Sequence, residues 1–238
     1  MDLFSGSNLL TRIRQFTLPN FSYYKYYSSL SLFIIPCKYI NLIANAILHK
    51  PLSNFNLAIL GLAFIAIFTY ALYLIFDFFF KRKWYLVYII FIPILIIFCD
   101  EGYTLYFHSF FAENVQYVFT ILSIGLYLKL IETKCKKRYL VFYYISVIIM
   151  ATSKYGYIPV GVLFALLPLV FLSQFKIKYI IPIITALIIA YLGYFYTLTP
   201  DYIERDTLYN SVFTGILNFQ DNPEQVLTEM GIPSKYAF

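Results

Sequence analysis

The chain has 238 residues, of which 61% are hydrophobic and 13% are charged, whereas a soluble domain carries about a quarter charged residues. Its net charge of +6 comes from short basic clusters between apolar blocks, a pattern typical of membrane proteins that argues against a nucleic-acid surface. The three cysteines lack CxxC spacing, so they predict neither a disulfide framework nor a zinc site.

The first apolar segment, residues 29–49, is ambiguous. Pro36 removes a backbone hydrogen bond and interrupts the helical pattern, and Lys38 puts a charge near its middle. Both features are unusual in a simple membrane-spanning helix. The sequence leaves three alternatives open, in which the segment spans the bilayer, re-enters it or lies in the interface. Lys38 needs a partner or a watery cavity if the segment is embedded.

Six further apolar segments follow, and the longer ones reach the roughly 17 to 25 residues that cross a hydrocarbon core. Two of these segments contain no charged residue, namely 55–76 and 179–198. Two others are predicted to form a tight hairpin around Lys154, namely 139–153 and 155–175. The predicted spans are 55–76, 84–99, 114–128, 139–153, 155–175 and 179–198. The sequence thus predicts an all-α fold, a polytopic transmembrane helical bundle of six or seven spans.

The basic residues favour one orientation of this bundle. If residues 29–49 span, thirteen of the 18 Lys and Arg residues fall on one side of the membrane and four on the other. Basic loops tend to remain in the cytoplasm. The prediction is therefore an integral protein of the bacterial cell membrane with a cytoplasmic N-terminus and an extracytoplasmic C-terminus.

The chain after Pro200 is predicted to form a short extracytoplasmic helical tail. Asn222, Pro223 and Gly231 have the order of a cap, a first turn and a stop for a short helix. A piece of about forty residues buries little core of its own. The predicted domains are a transmembrane helical domain, 1–198, and an incomplete tail, 199–238.

The most informative polar segment, CDEGYTLYFHSFFAEN, follows a predicted span on the outer side. Asp100 and Glu101 are adjacent carboxylates there, and a positioned carboxylate can take the proton of an attacking hydroxyl. These two are the predicted catalytic residues, and Tyr103 and His108 are predicted substrate contacts. In the alternative interpretation the acids end a helix in water and the aromatic residues belong to an interfacial belt.

Two cations on the predicted outer side are candidates for binding a phosphate. Lys154 in ATSKYGYIP and Arg205 in YIERD can each pair with the phosphate of a lipid carrier. Their alternative role is to reach the headgroups of ordinary lipids. The sequence has no P-loop, HExxH or glycine-rich dinucleotide turn, which argues against nucleotide-driven chemistry.

The order of these pieces resembles a known family. The segments DEGYTLYFHSFFAE, ATSKYGYIP and LYNSVFTGILNFQDNPEQVLTEMGIPSKYA, within residues 100–238, are similar to bacterial multi-spanning glycosyltransferases of the type-C fold, of the glycan-biosynthesis hexose transferase kind. The resemblance implies sugar transfer from a polyprenyl-phosphate donor on the outer face, with Asp100 and Glu101 at the acidic loop position. Such proteins have more spans and a larger outer domain, which favours a truncated or split member.

Two functions from different classes follow from these patterns. The first is a membrane glycosyltransferase, or part of one, whose partners are membrane lipid, a polyprenyl-phosphate sugar and a cell-envelope glycan acceptor, without nucleic acid. The alternative is a non-enzymatic membrane component, such as a lipid-linked glycan translocase or an assembly subunit. The few polar residues along the spans argue weakly against a wide hydrophilic path.

Overall fold

The computed structural model describes residues 15–17, 28–49, 54–82, 111–174, 179–198 and 223–229, with single positions at 85, 89, 91–93, 96, 100, 107, 109 and 231. The chain falls into two compact units, Met1–Thr197 and Leu198–Phe238. The first unit is a helical membrane bundle, which confirms the predicted fold class. In the second unit, helix α7 covers Pro223–Glu229, inside the predicted tail helix.

The first unit is built mainly of apolar helices. In chain order its elements are β1 (Gln15–Thr17), α1 (Ser31–Ile47), β2 (Asn54–Asn56), α2 (Leu57–Phe80), α3 (Glu113–Glu132), α4 (Lys137–Ala151), a 3-10 turn (Tyr155–Tyr157), α5 (Ile158–Leu166), a 3-10 segment (Leu167–Gln174) and α6 (Ile180–Thr197). Within the described ranges, three helices are long and apolar enough to cross a membrane, namely α2, α3 and α6.

The observed helices extend the predicted spans in two places. Asn56 caps α2 by accepting a hydrogen bond from the amide of Ala58 at 2.9 Å, and the helix continues to Phe80, beyond the apolar run. Helix α3 likewise runs to Glu132. The predicted span 84–99 lies largely outside the described residues, although its described positions are helical.

The predicted hairpin around Lys154 is confirmed by close packing of α4 against α5. A Cβ atom on Gly161 would lie 2.3 Å from the Cβ of Ala151, so only glycine permits this approach, as is common where membrane helices meet. The hydroxyl of Tyr143 donates a hydrogen bond to the carbonyl of Phe164 at 2.5 Å. The predicted span 155–175 is not one regular helix, because the chain kinks at Phe171.

Helices α2 and α3 run parallel, and this pairing defines the two ends of the bundle. Gly125 lets α3 approach the backbone of Ala71 on α2, and Lys129 near the end of α3 reaches Asp77 near the end of α2 at 2.8 Å. We call the end where both helices terminate the Lys129 end, and the end where both begin the Glu113 end. Helices α4 and α6 finish at the Glu113 end, where Tyr155 contacts Tyr196 with ring centroids 6.4 Å apart.

Both chain segments that flank helix α1 lead to the same end of the bundle. It begins at the Glu113 end, because the amide of Ser29 donates to the carbonyl of Thr152, just after α4, at 3.1 Å. Six residues join α1 to β2, the start of α2, and such a connector reaches only about 25 Å. Strand β1 pairs with β2, Gln15 opposite Asn56, so both flanks of α1 lie at the Glu113 end.

This arrangement corrects one expectation and bears on a second. Pro36 lies inside α1 without ending it, since a helix at the protein surface can bend around a missing hydrogen bond. Strand β1 and Thr197 share the Glu113 end, whereas the seven-span alternative places the N-terminal segment and the end of α6 on opposite sides. The choice between six and seven spans stays a prediction. Hydropathy reports the length of an apolar segment but not whether it completes a crossing.

The charge asymmetry of the sequence is also present among the described residues. The Lys129 end carries a set of basic side chains, whereas the other described Lys and Arg residues are Lys154 at the Glu113 end and Lys38 on α1. The basic set is Lys81, Arg82, Lys129, Lys134, Lys136, Lys137 and Arg138. By the positive-inside rule, the Lys129 end is expected to face the cytoplasm.

Replacing Gly161 with alanine should separate α4 from α5. The added methyl overlaps Ala151, and overpacking of this kind costs about 1–3 kcal/mol, so Gly161→Ala is expected to lower the thermal stability measured in detergent micelles. Gly193→Ala on α6 is the matched control, because a Cβ there meets nothing within 4 Å. Equal behaviour of the two variants would contradict the close packing.

Candidate functional site

The loop that leads from Asp100 into α3 is anchored by one buried ring. Phe107 is 1% exposed and packs against Phe68 and Tyr117, with ring centroids 5.6 and 5.9 Å apart. The side-chain amide of Asn114 donates to the carbonyl of Ser109 at 2.9 Å, which fixes the entry into α3. Phe107 and Ser109 are thus tied to the Glu113 end of the bundle.

The structure describes two of the six predicted site residues. Asp100 lies exposed at the beginning of this loop. Lys154 lies exposed between α4 and the 3-10 turn, also at the Glu113 end. Glu101, Tyr103, His108 and Arg205 lie outside the described residues. The predicted site therefore remains a prediction at those four positions.

Lys154 has a partner that the sequence analysis did not identify. Its ammonium lies 2.8 Å from a carboxylate oxygen of Glu113, and both side chains are about half exposed. Glu113 occupies the first turn of α3, where a carboxylate is favoured by the helix dipole. Exposed pairs of this kind contribute roughly 0–1 kcal/mol, so Lys154 can exchange the Glu113 carboxylate for another anion at little cost.

The same end holds a second polar junction, between the start of α1 and the end of α4. The hydroxyl of Ser28 donates to the carbonyl of Ser153, and that of Ser29 donates to the carbonyl of Ile149, both at 2.6 Å. These bonds satisfy carbonyl groups that the end of a helix leaves unpaired. They fix the beginning of α1 beside the turn that carries Lys154.

The Lys129 end is closed by a four-residue ionic cluster. Lys129 lies 2.8 Å from Asp77 and 2.7 Å from Glu132, and Lys81 lies 2.7 Å from Asp77 and 3.0 Å from Glu132. Hydrogen bonds to the carboxylates, first that of Asp77, raise the pKa of Lys81. The spacings Asp77 to Lys81 and Lys129 to Glu132 are the sequence signals that could have indicated the cluster.

The buried polar groups between α3, α4 and α6 are paired with one another. The hydroxyls of Ser123 and Ser146 are 2.7 Å apart, and so are those of Tyr144 and Thr185. Such bonds stabilise contacts between helices in lipid. In the described ranges no three His, Cys, Asp or Glu residues lie close enough to hold a metal ion.

Comparison with known proteins identifies the family. The family model described as the YfdI N-terminal transmembrane domain matches residues 7–238. The chain therefore belongs to this family of membrane proteins. No curated protein and no solved structure matches the chain.

Removing Lys129 should destabilise the bundle more than removing Lys81. The side chains of Lys129 and Asp77 are 13% and 16% exposed, and leaving a charged group of this kind without its partner costs about 1–3 kcal/mol. Lys129→Met should therefore lower the melting temperature in micelles. The control Lys81→Met removes a 51% exposed side chain that pairs with the same carboxylates, so it should lower the melting temperature less. Equal decreases in melting temperature for the two variants would contradict this ranking.

Proposed function

We propose that this member of the YfdI N-terminal transmembrane domain family forms all or part of a membrane glycosyltransferase of the type-C fold. In this proposal it transfers a sugar from a polyprenyl-phosphate donor to a cell-envelope glycan acceptor. The observation that carries the proposal is that Phe107, which follows the predicted catalytic acids in the chain, and the Glu113–Lys154 pair belong to the same end of an apolar helical bundle. That end would face the extracytoplasmic side.

The proposed chemistry assigns different tasks to acids and cations. Asp100 or Glu101 removes the proton of an acceptor hydroxyl as its oxygen bonds to the anomeric carbon of the sugar. The bond from that carbon to the phosphate oxygen breaks, and the polyprenyl phosphate leaves with the electron pair. Lys154, released from Glu113, holds the leaving phosphate. Arg205 stays a separate predicted phosphate-binding cation. Tyr103 and His108 contact the sugar.

The lipid-linked donor suits the character of the bundle. Large apolar side chains on its outer helices are exposed, as expected for surfaces that contact acyl chains. A polyprenyl chain is apolar in the same way, so it can lie alongside these helices while its headgroup reaches the Glu113 end. The phosphate already activates the sugar, which makes a nucleotide-binding domain unnecessary.

The packing weighs against the translocase alternative. A hydrophilic path needs polar groups that face an open interior. Between α3, α4 and α6 the polar hydroxyls instead bond to one another, and Tyr143 and Tyr144 fill the space around them. This part of the described bundle is a packed core.

A transfer assay in membranes tests the proposal. The parent chain is compared with Asp100→Asn, Glu101→Gln and the double variant, using polyprenyl-phosphate hexoses as donors. The loss of a general base should lower the transfer rate by about 10²- to 10⁴-fold in the variant that removes the base. Glu229→Gln is the control, because that acid is an exposed residue of α7.

A lower transfer rate in a variant counts as a catalytic effect only if that variant inserts into the membrane as the parent does. Transfer that persists in the double variant, or a parent chain that is inactive with every donor, would contradict the proposed activity.

A further inference from the structure

Helix α1 has its apolar side facing outward and its polar side facing the protein. The outward side chains are large, and each is more than half exposed: Leu32, Ile35, Tyr39, Ile40, Ile43 and Ile47. The buried side carries Asn41 and Asn45, together with Ile34 and Cys37. Both flanks of α1 lie at the Glu113 end, and an exposed apolar face of this kind suits contact with acyl chains.

The buried amide of Asn41 has no partner. Asn41 is 2% exposed, and neither its Oδ1 nor its Nδ2 atom makes a hydrogen bond within the structure described. Buried polar groups are nearly always paired, and an unpaired amide in apolar surroundings is costly. The other amide on this face, Asn45, does have an interaction. Asn41 thus differs from its neighbour in having no hydrogen-bond partner among the described residues.

A cation lies one turn away on the same helix. Lys38 precedes Asn41 by three residues and is partly buried, and side chains at this spacing are neighbours, with Cβ atoms about 5–6 Å apart. No carboxylate lies within ion-pairing distance of Lys38 in the part of the chain that the structure describes. In this respect Lys38 differs from Lys154, which forms an ion pair with Glu113.

We propose that the Lys38–Asn41 turn of α1 binds the phospho-sugar headgroup of a lipid-linked sugar that enters sideways from the leaflet. The inference rests on the proposed function, because it names the place where the donor is recognised. Lys38 pairs with the phosphate, and the amide of Asn41 binds the sugar.

The hydrogen-bonding capacity of Asn41 selects the ligand class. Its unpaired oxygen needs a donor and its unpaired nitrogen needs an acceptor. A phosphate offers only acceptors at neutral pH, whereas a sugar hydroxyl both donates and accepts. Phosphatidylglycerol shares the combination of a phosphate and hydroxyls, so the test must separate it from a lipid-linked sugar.

The position of α1 explains how a ligand reaches a buried amide. The helix is held at its beginning by Ser28 and Ser29, and its outward face is exposed in the part of the chain that the structure describes. In this proposal the later turns, around Asn41, shift sideways and open the buried face to the leaflet. The polyprenyl chain remains in the membrane throughout.

Binding measurements on the full chain in phosphatidylcholine nanodiscs test this site. Three probes are titrated: a polyprenyl-phosphate hexose, sugar-free polyprenyl phosphate, and phosphatidylglycerol. Asn41→Leu should weaken binding of the hexose lipid about tenfold and leave sugar-free polyprenyl phosphate unchanged. Lys38→Gln should weaken binding of both polyprenyl lipids. Asn41→Leu should also raise the melting temperature, because it removes an unpaired amide from apolar packing.

Two control variants separate binding from structure. Asn45→Leu, on the same face one turn later, should lower the melting temperature and keep the preference for the hexose lipid. Lys134→Gln, an exposed cation at the Lys129 end, should change neither binding nor stability.

The site would be overturned if Asn41→Leu bound the hexose lipid as the parent does, or if phosphatidylglycerol bound as tightly as the hexose lipid. A loss of stability in Asn41→Leu with equal weakening for all three probes would also overturn it, since that pattern marks a structural role. The proposed activity is judged separately by transfer. If the parent binds the hexose lipid while the Asp100 and Glu101 variants do not change the transfer rate, the proposed activity is rejected. The proposed binding site on α1 is then retained.

Discussion

The parallel packing of α2 against α3 determines which parts of the chain meet at each end of the bundle. The close approach at Gly125 and the pairing of Asp77 with Lys129 set this register, and an ion pair in lipid surroundings is hard to break because its members would be left without water. The beginnings of α2 and α3 therefore coincide. From this follow the shared location of the polar loop, the Lys154 turn and strand β2.

Helix α1 takes its role from the same constraint. Because β2 begins α2 and pairs with β1, the segments that flank α1 lead to the Glu113 end, and the apolar side of α1 faces outward. A helix in this position covers the boundary between protein and lipid at the level where a lipid headgroup would meet the proposed catalytic loop. The unpaired amide of Asn41 and the neighbouring Lys38 lie on that boundary.

The sequence predicted much of the bundle and little of its connectivity. Uncharged apolar runs located α2 and α6 to within a few residues, because length and hydropathy are local properties. Whether residues 29–49 cross depends on the contacts of Ser29 with the end of α4 and on the pairing of β1 with β2, which are distant in sequence. The partner of Lys154 was missed for the same reason. Asp100 is exposed and its catalytic role stays a prediction, while Glu101, Tyr103, His108 and Arg205 fall outside the described residues.

The depth of α1 in the membrane tests this account most directly. Spin labels placed singly at the outward positions Leu32, Ile35, Ile40, Ile43 and Leu48 would be measured for contact with oxygen and with a water-soluble nickel chelate. If α1 enters and leaves the membrane on the side of the Glu113 end, labels at both ends of the helix lie close to the membrane surface on that side. Chelate added on the side of the Lys129 end then reaches none of the labels. A depth that increases steadily through the midplane, with Leu48 reached only from the opposite side, would show that α1 crosses and would contradict the account.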